Sequence, residues 1–164
     1  MQIGRYNASP RSNMTILDES LVWDVRAFVY QHFASTARPP SIDETATRFQ
    51  IRTKQAAAIY EELHRRHALF LDGGTLTIRM ANPFSGVPTT FHVHTQEAAY
   101  WANCAWDALG IPAALHCDAT IEATCPESRQ PIDLSVHNAK AVSHGEVVHF
   151  LVPFRRWYDN LMFT

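Results

Sequence analysis

No apolar run in this chain approaches the roughly 18 to 20 residues that cross a bilayer, so no membrane-spanning helix is expected. The N-terminal stretch MQIGRYNASPRSN lacks the apolar segment of a signal peptide, and residues 1–16 read as a flexible leader. An excess of charge of one sign is missing too: 14 Lys and Arg face 16 Asp and Glu, a formal net charge of −2. A dedicated nucleic-acid binder is usually basic, so that class is disfavoured. Cysteine is scarce. Cys104, Cys117 and Cys125 contain no Cys-x-x-Cys pair and suggest no disulfide framework. Free thiols in a reducing cytoplasm fit them better. What remains, 46% hydrophobic and 18% charged over 164 residues, describes an ordinary globular protein that can bury a core without staples.

The first half reads as three helices and a hairpin. Asp18 can cap a helix whose apolar positions are Leu21, Val25, Phe28, Val29 and Phe33, and Arg38-Pro39-Pro40 stops it. Ser41-Ile42-Asp43-Glu44 has the form of a capping box and opens a second helix through Phe49. Thr53 caps a third, with Ala56, Ile59, Tyr60 and Leu63 on its inner stripe. Ala68–Leu71 and Thr75–Ile78 are short apolar runs joined by Asp72-Gly73-Gly74, a hairpin signal. This order gives a winged-helix-like lobe over residues 17–80. Its charges argue against DNA: Arg48, Arg52, Lys54, Arg65, Arg66 and Arg79 nearly balance Asp43, Glu44, Glu61, Glu62 and Asp72. Glu61-Glu62 sits in the middle of the third helix, where phosphate would be repelled.

Residues 81–94 read as a linker followed by a strand. Phe91-His92-Val93-His94 alternates and places His92 and His94 on one face. Two histidines are not a metal site by themselves, and no third ligand stands at a diagnostic spacing, so solvent-facing strand histidines are the favoured reading. Thr95 then looks like the cap of a helix from Gln96 to Leu109, ended by Gly110 and Pro112. On that helix Cys104 and Asp107 stand at i and i+3 and share a surface. Trp101 and Trp106 supply apolar bulk around them, a setting in which a carboxyl holds its proton and suits a general acid. The same short pattern also fits a cysteine packing as a small hydrophobe beside a surface aspartate. Beyond Pro112, Leu115, Cys117, Ala119, Ile121, Ala123 and Cys125 alternate onto one apolar face, which reads Cys117 and Cys125 as core. Ile132–His137 and Glu146–Val152 read as two more strands of an antiparallel meander. The expected class is α+β, with an antiparallel sheet packed against a helix over residues 95–164.

At these residues the chain resembles the alkylmercury lyase (organomercurial lyase) family. The resemblance rests on the Asn-Cys-Ala-Trp-Asp block from Asn103 to Asp107, Gly110-Ile111-Pro112, Cys125-Pro126, Pro131-Ile132-Asp133-Leu134 and Val152-Pro153. It implies cleavage of a carbon–mercury bond by protonolysis to Hg(II) and a hydrocarbon, with Cys104 as the nucleophile that captures mercury and Asp107 as the proton carrier. It also implies a structural Cys125, an N-terminal lobe that does not act on DNA, no cofactor, and small thiols as the acceptor of the metal. Thiolate is the softest protein ligand and mercury a very soft cation, so the roles are chemically coherent. One departure stands out. The family uses a second reactive cysteine after the last strand, and Phe154–Thr164 contains none. Either the protein continues past Thr164 to that thiol, leaving the 95–164 core incomplete, or Cys117 substitutes as a mercury ligand beside Cys104. A thiol-based soft-metal-binding winged-helix regulator and an inactive lyase relative are the competing readings.

Overall fold

A computed structural model describes residues 17–125, 127–142, 145–150 and 152–159. The expected leader, and the segment from Asn160 to Thr164, lie outside the described residues.

The first helices form where their caps predict. In α1 (Glu19–Thr36) the Ser20 amide donates to Asp18 Oδ1 at 3.0 Å, and Ala37 ends the helix in the left-handed region. In α2 (Ile42–Phe49) both halves of the Ser41/Glu44 capping box are made. Helix α3 (Thr53–Arg65) starts one residue earlier than expected: Arg52 is the cap position, and the Thr53 hydroxyl turns to Asp43 instead. Val22, Val25, Val29 and Phe33 of α1 meet Ile59, Tyr60 and Leu63 of α3 in the core. Burying each such side chain stabilises the fold by about 1.5–3 kcal/mol. The buried Tyr60 hydroxyl is satisfied by Thr45 at 2.7 Å and by the Pro40 carbonyl at 3.2 Å.

Among the described residues, eight strands join one sheet. They are β1 (Phe70–Leu71), β2 (Ile78–Ala81), β3 (Phe84–Ser85), β4 (Phe91–Thr95), β5 (Ala99–Ala102), β6 (Ala119–Thr124), β7 (Pro131–His137) and β8 (Lys140–Val142), in the order β1-β2-β3-β5-β4-β6-β7-β8. Every neighbouring pair is antiparallel. With α4 (Ala105–Leu115) packed on β4 and β5, this is an α+β fold. The segment 81–94 holds β3 as well as β4, so the sheet runs unbroken from the first hairpin to the last. Gly86 makes that path possible, because a Cβ there would lie 2.2 Å from the Ile78 carbonyl oxygen. Phe84 stacks on Phe33 of α1 and leans on Tyr100 of β5, while the Tyr100 hydroxyl donates to the Ala34 carbonyl at 2.7 Å.

Two expectations about the second half need correction. Gln96–Leu109 is not one helix. Thr95 caps a tight turn, receiving the Glu97 and Ala98 amides on its hydroxyl, and residues 99–102 pair with β4 as strand β5. Tyr100 and Trp101 are aromatic residues that favour a half-buried strand, and that preference wins over the local cap signal. The helix starts only after Cys104 and runs past both Gly110 and Pro112 to a left-handed cap at His116. The third meander strand is Lys140–Val142, reached through a two-residue turn in which Asn138 and Ala139 both have positive φ. Residues 146–150, expected within that strand, are irregular.

Candidate active site

Strand β5 delivers the chain to the start of α4, and Cys104 and Asp107, the expected site residues, sit at that junction. Cys104 is the N-cap of α4, with extended backbone angles of φ −153° and ψ 179°. Asp107 lies in the first turn of the helix and is 6% exposed. The Cys104 thiol donates to Asp107 Oδ2 at 3.6 Å. Asn103 donates its side-chain amide to the same carboxylate oxygen at 3.2 Å and to the Phe84 carbonyl at 3.3 Å. A further side-chain hydrogen bond reaches Asp107 from Asn82, on the cis Asn82–Pro83 turn between β2 and β3. That turn is pressed against α4: a Cβ on Gly110 would stand 3.3 Å from Pro83 Cβ. Gly110 is therefore a close-approach residue inside the helix, not its stop signal.

The electrostatics favour one proton shared by the pair. Burial pushes the Asp107 carboxyl up, against the pull of hydrogen bonds from Asn103, Cys104 and Asn82. Burial also pushes the Cys104 thiol up, and the neighbouring Asp107 charge adds to that. Backbone N–H groups of Asp107 and Trp106 pull the other way, as expected for a sulfur at a helix N-terminus. Two negative charges in one half-buried place are costly, whereas a single charge is stabilised by the helix end. The result is a thiol hydrogen-bonded to a carboxylate, ready to exchange its proton.

The pair lines a cavity of about 360 Å³, within the range of small-molecule sites. Arg26 and Tyr30 of α1, Met80 of β2, Asn82 of the β2–β3 turn, and Trp106, Phe150 and Trp157 complete much of the wall. The Arg26 guanidinium lies 4.7 Å from the Tyr30 ring centre, so the wall combines apolar rings with one cation. Trp106 is 67% exposed and forms part of the rim. Trp101, expected beside it, projects from the other face of the sheet and stacks on His92.

The remaining cysteines are not brought to this pair. Cys117, expected as a substitute mercury ligand, follows the last turn of α4, whereas Cys104 precedes the first. Eleven helical residues separate them, a helix about 16 Å long. They cannot share one ion, and the mercury-ligand expectation for Cys117 is corrected. Burial and the charges of Asp118 and Glu97 also hold the Cys117 thiol up. Cys125 is half-buried, not a core residue. Strand β6 ends at Thr124, and the Cys125 sulfur receives the Ser128 amide at 3.4 Å in the turn beyond. Hydrogen bonds from the Ser128 side chain and the Ser128 and Glu127 amides draw its thiol downward. All three cysteines are unpaired. On β4, His92 and His94 share the face turned away from α4, where Glu122 of β6 joins them.

Sequence reasoning missed Asn82, Arg26 and Tyr30, because each reaches the site from a distant element. Asn103 lay within the Asn103–Asp107 block, but only the turn into α4 reveals its hold on Asp107. In the N-terminal lobe, Glu62 and Glu19 engage Arg66, and Glu62 also engages Arg65. Two of the bases counted in this lobe, Arg65 and Arg66, are thus internally neutralised.

Among the described residues no helix is long and apolar enough to cross a membrane. No curated protein matches the chain. The structure is similar to a crystal structure of the mercury-bound form of MerB2, with a TM-score of 0.60 and 22% identity. The likeness covers 79% of this chain and 62% of that one, so the chain spans less than two thirds of that protein's length. Residues 84–163 match the family model MerB, alkylmercury lyase, a segment that starts at β3 and takes in Asn103, Cys104 and Asp107. Over that segment, the chain is similar to the alkylmercury lyase family.

Proposed function

We propose that the protein cleaves the carbon–mercury bond of small organomercurials by protonolysis, with Cys104 as nucleophile and Asp107 as proton carrier. The observation that carries this reading is the 3.6 Å Cys104–Asp107 hydrogen bond on the wall of a ligand-sized cavity. In water rich in small thiols, an organomercurial travels as R–Hg–SR′. As the Cys104 sulfur forms a bond to mercury, its proton passes to Asp107 Oδ2. The metal then carries two thiolates, one from Cys104 and one from the incoming thiol, and their donation weakens the bond to carbon. Asp107 returns the proton to the carbon as the Hg–C electron pair leaves with the hydrocarbon RH. Hg(II) stays behind on Cys104 and SR′, and a second small thiol displaces Cys104 and takes the product away.

Each step needs only groups near the cavity. Mercury is soft and thiolate is soft, so capture needs no additional protein ligand. The acid stands within reach of the reacting carbon once mercury is on sulfur, and such positioning accounts for much of the rate. Asn103 and Asn82 act as positioning residues that hold the carboxyl toward the sulfur. No cofactor is required, and the dependence on small thiols suits a reducing cytoplasm. Incubation with methylmercury and excess small thiol should release methane into the headspace. A chain that captures mercury stoichiometrically yet yields no methane would be a mercury-binding relative and not a lyase.

A further inference from the structure

The face of the sheet opposite α4 carries a second cluster of ligating side chains. His92 and His94 stand two residues apart on β4 and project to the same side. Val93, between them, is buried toward the core. Glu122 on β6 is the cross-strand partner of His92, so the three side chains meet across one strand pair. One ligand atom from each lies within 4.8 Å of the other two, and His94 Nε2 stands 3.4 Å from Glu122 Oε2. Two donors about 2.1 Å from a tetrahedral ion are roughly 3.4 Å apart, so that pair already has the spacing of ligands to one ion. His94 Nε2 is shielded from solvent yet makes no hydrogen bond. The third ligand is held in place: the His92 ring stacks on Trp101, its partner on β5, at 4.1 Å and 17°.

We propose that His92, His94 and Glu122 form a binding site for a borderline divalent transition-metal ion of the Zn(II), Co(II), Ni(II) class. Two imidazoles and one carboxylate suit such ions. They suit Hg(II) less well, because it seeks thiolate, and Mg(II) or Ca(II) less well, because those seek oxygen alone. Three protein ligands leave at least one coordination position to water on the exposed side of the sheet, where Glu122 is 69% exposed. Asp133, the partner of Glu122 on β7, adds a second carboxylate in the same cross-strand row and favours a dication there. Bound metal would tie β4 to β6 at the centre of the sheet. The site uses no cysteine and shares no residue with the Cys104 cavity.

The test uses the tag-free chain with its thiols blocked by iodoacetamide, titrated with Co(II). The expected result is uptake of a single ion per chain, with a ligand-field spectrum free of thiolate charge-transfer bands. His92→Ala and His94→Ala should each weaken uptake by about tenfold or more, and Glu122→Gln by less. Thermal unfolding in the presence of chelator checks that each variant is folded, and Co(II) should raise the melting temperature of the thiol-blocked wild type only. No uptake at millimolar Co(II) by the folded wild type would overturn the proposal. So would undiminished uptake by a folded His92→Ala/His94→Ala double variant.

Discussion

On the side of the sheet that α4 covers, the reactive groups are few, sheltered and soft: one sulfur, one carboxyl, and side-chain amides that hold the carboxyl in place. On the opposite side the ligating groups are harder, more open to water, and aligned by strand pairing and by the stacking of His92 on Trp101. The same strands β4 and β5 supply both faces. Period-two alternation sends Val93 and Tyr100 to one side and His92, His94 and Trp101 to the other. Burial is what separates their chemistry. It raises both members of the Cys104–Asp107 pair and so keeps a transferable proton between them, whereas the open face retains lone pairs for a hydrated cation.

The largest effect should come from attacking the covered face alone. Cys104→Ser, or alkylation of the thiols, should lower methane release by roughly 10³-fold or more, while Co(II) uptake by the alkylated chain persists. Loss of both together would mean the two faces are not independent. Asp107→Asn should lower turnover by about 10²–10⁴-fold, yet leave stoichiometric capture of methylmercury by Cys104, measurable as thiol loss.

The same variant should alter stability with a definite sign. Burial holds the Asp107 carboxyl above its unfolded value, so the folded state keeps a proton that the unfolded chain releases. Stability is therefore lost as pH rises from the ordinary carboxylate range through the raised folded value, and this loss persists at neutral pH. Asp107→Asn carries no such charge. Its melting temperature should exceed that of the wild type at pH 7–8, and the gain should vanish below the ordinary carboxylate range. An advantage that grows toward acid would contradict the assignment.

Smaller effects probe the supports. Asn103→Ala should cost roughly 10-fold to 10²-fold in turnover by loosening the carboxyl. It also removes a bond that stabilises the charged form, so the Asp107 carboxyl should rise further, as read by the pH dependence of the melting temperature. Gly110→Ala should be the mildest. Its gain in helix propensity of about 1 kcal/mol is opposed by the 3.3 Å approach to Pro83, and the melting temperature should move by only a few degrees. A clearly stabilised variant with unchanged turnover would show that the Asn82–Pro83 turn does not brace the site.

Much of this was legible in the chain where the signal is local. Asp18 and the Ser41/Glu44 box announce α1 and α2, and the stripe through Ile59, Tyr60 and Leu63 announces the inner face of α3. The Asn103–Asp107 block points to the hydrogen-bonded Cys104–Asp107 pair that the structure places on the cavity wall. Signals that depend on distant partners were not legible. Thr95 resembles a helix cap until β4 is seen to pair with residues 99–102, and Gly110 resembles a helix end until Pro83 is seen against it. Pro112 removes one backbone bond, a cost of about 3 kcal/mol in an isolated helix, but the residue is buried against the sheet and the helix continues. His92 and His94 lacked a third ligand in sequence because Glu122 lies two strands later and reaches them only through β4–β6 pairing.

The central claim is that the proton delivered to carbon is an exchangeable one, carried by the Cys104–Asp107 pair. It is tested most directly by running the methylmercury reaction with excess small thiol in D₂O and analysing the methane by mass spectrometry. The account predicts singly deuterated methane from the wild type and essentially none from Cys104→Ser. Methane without deuterium, or equal yields from the wild type and Cys104→Ser, would contradict it.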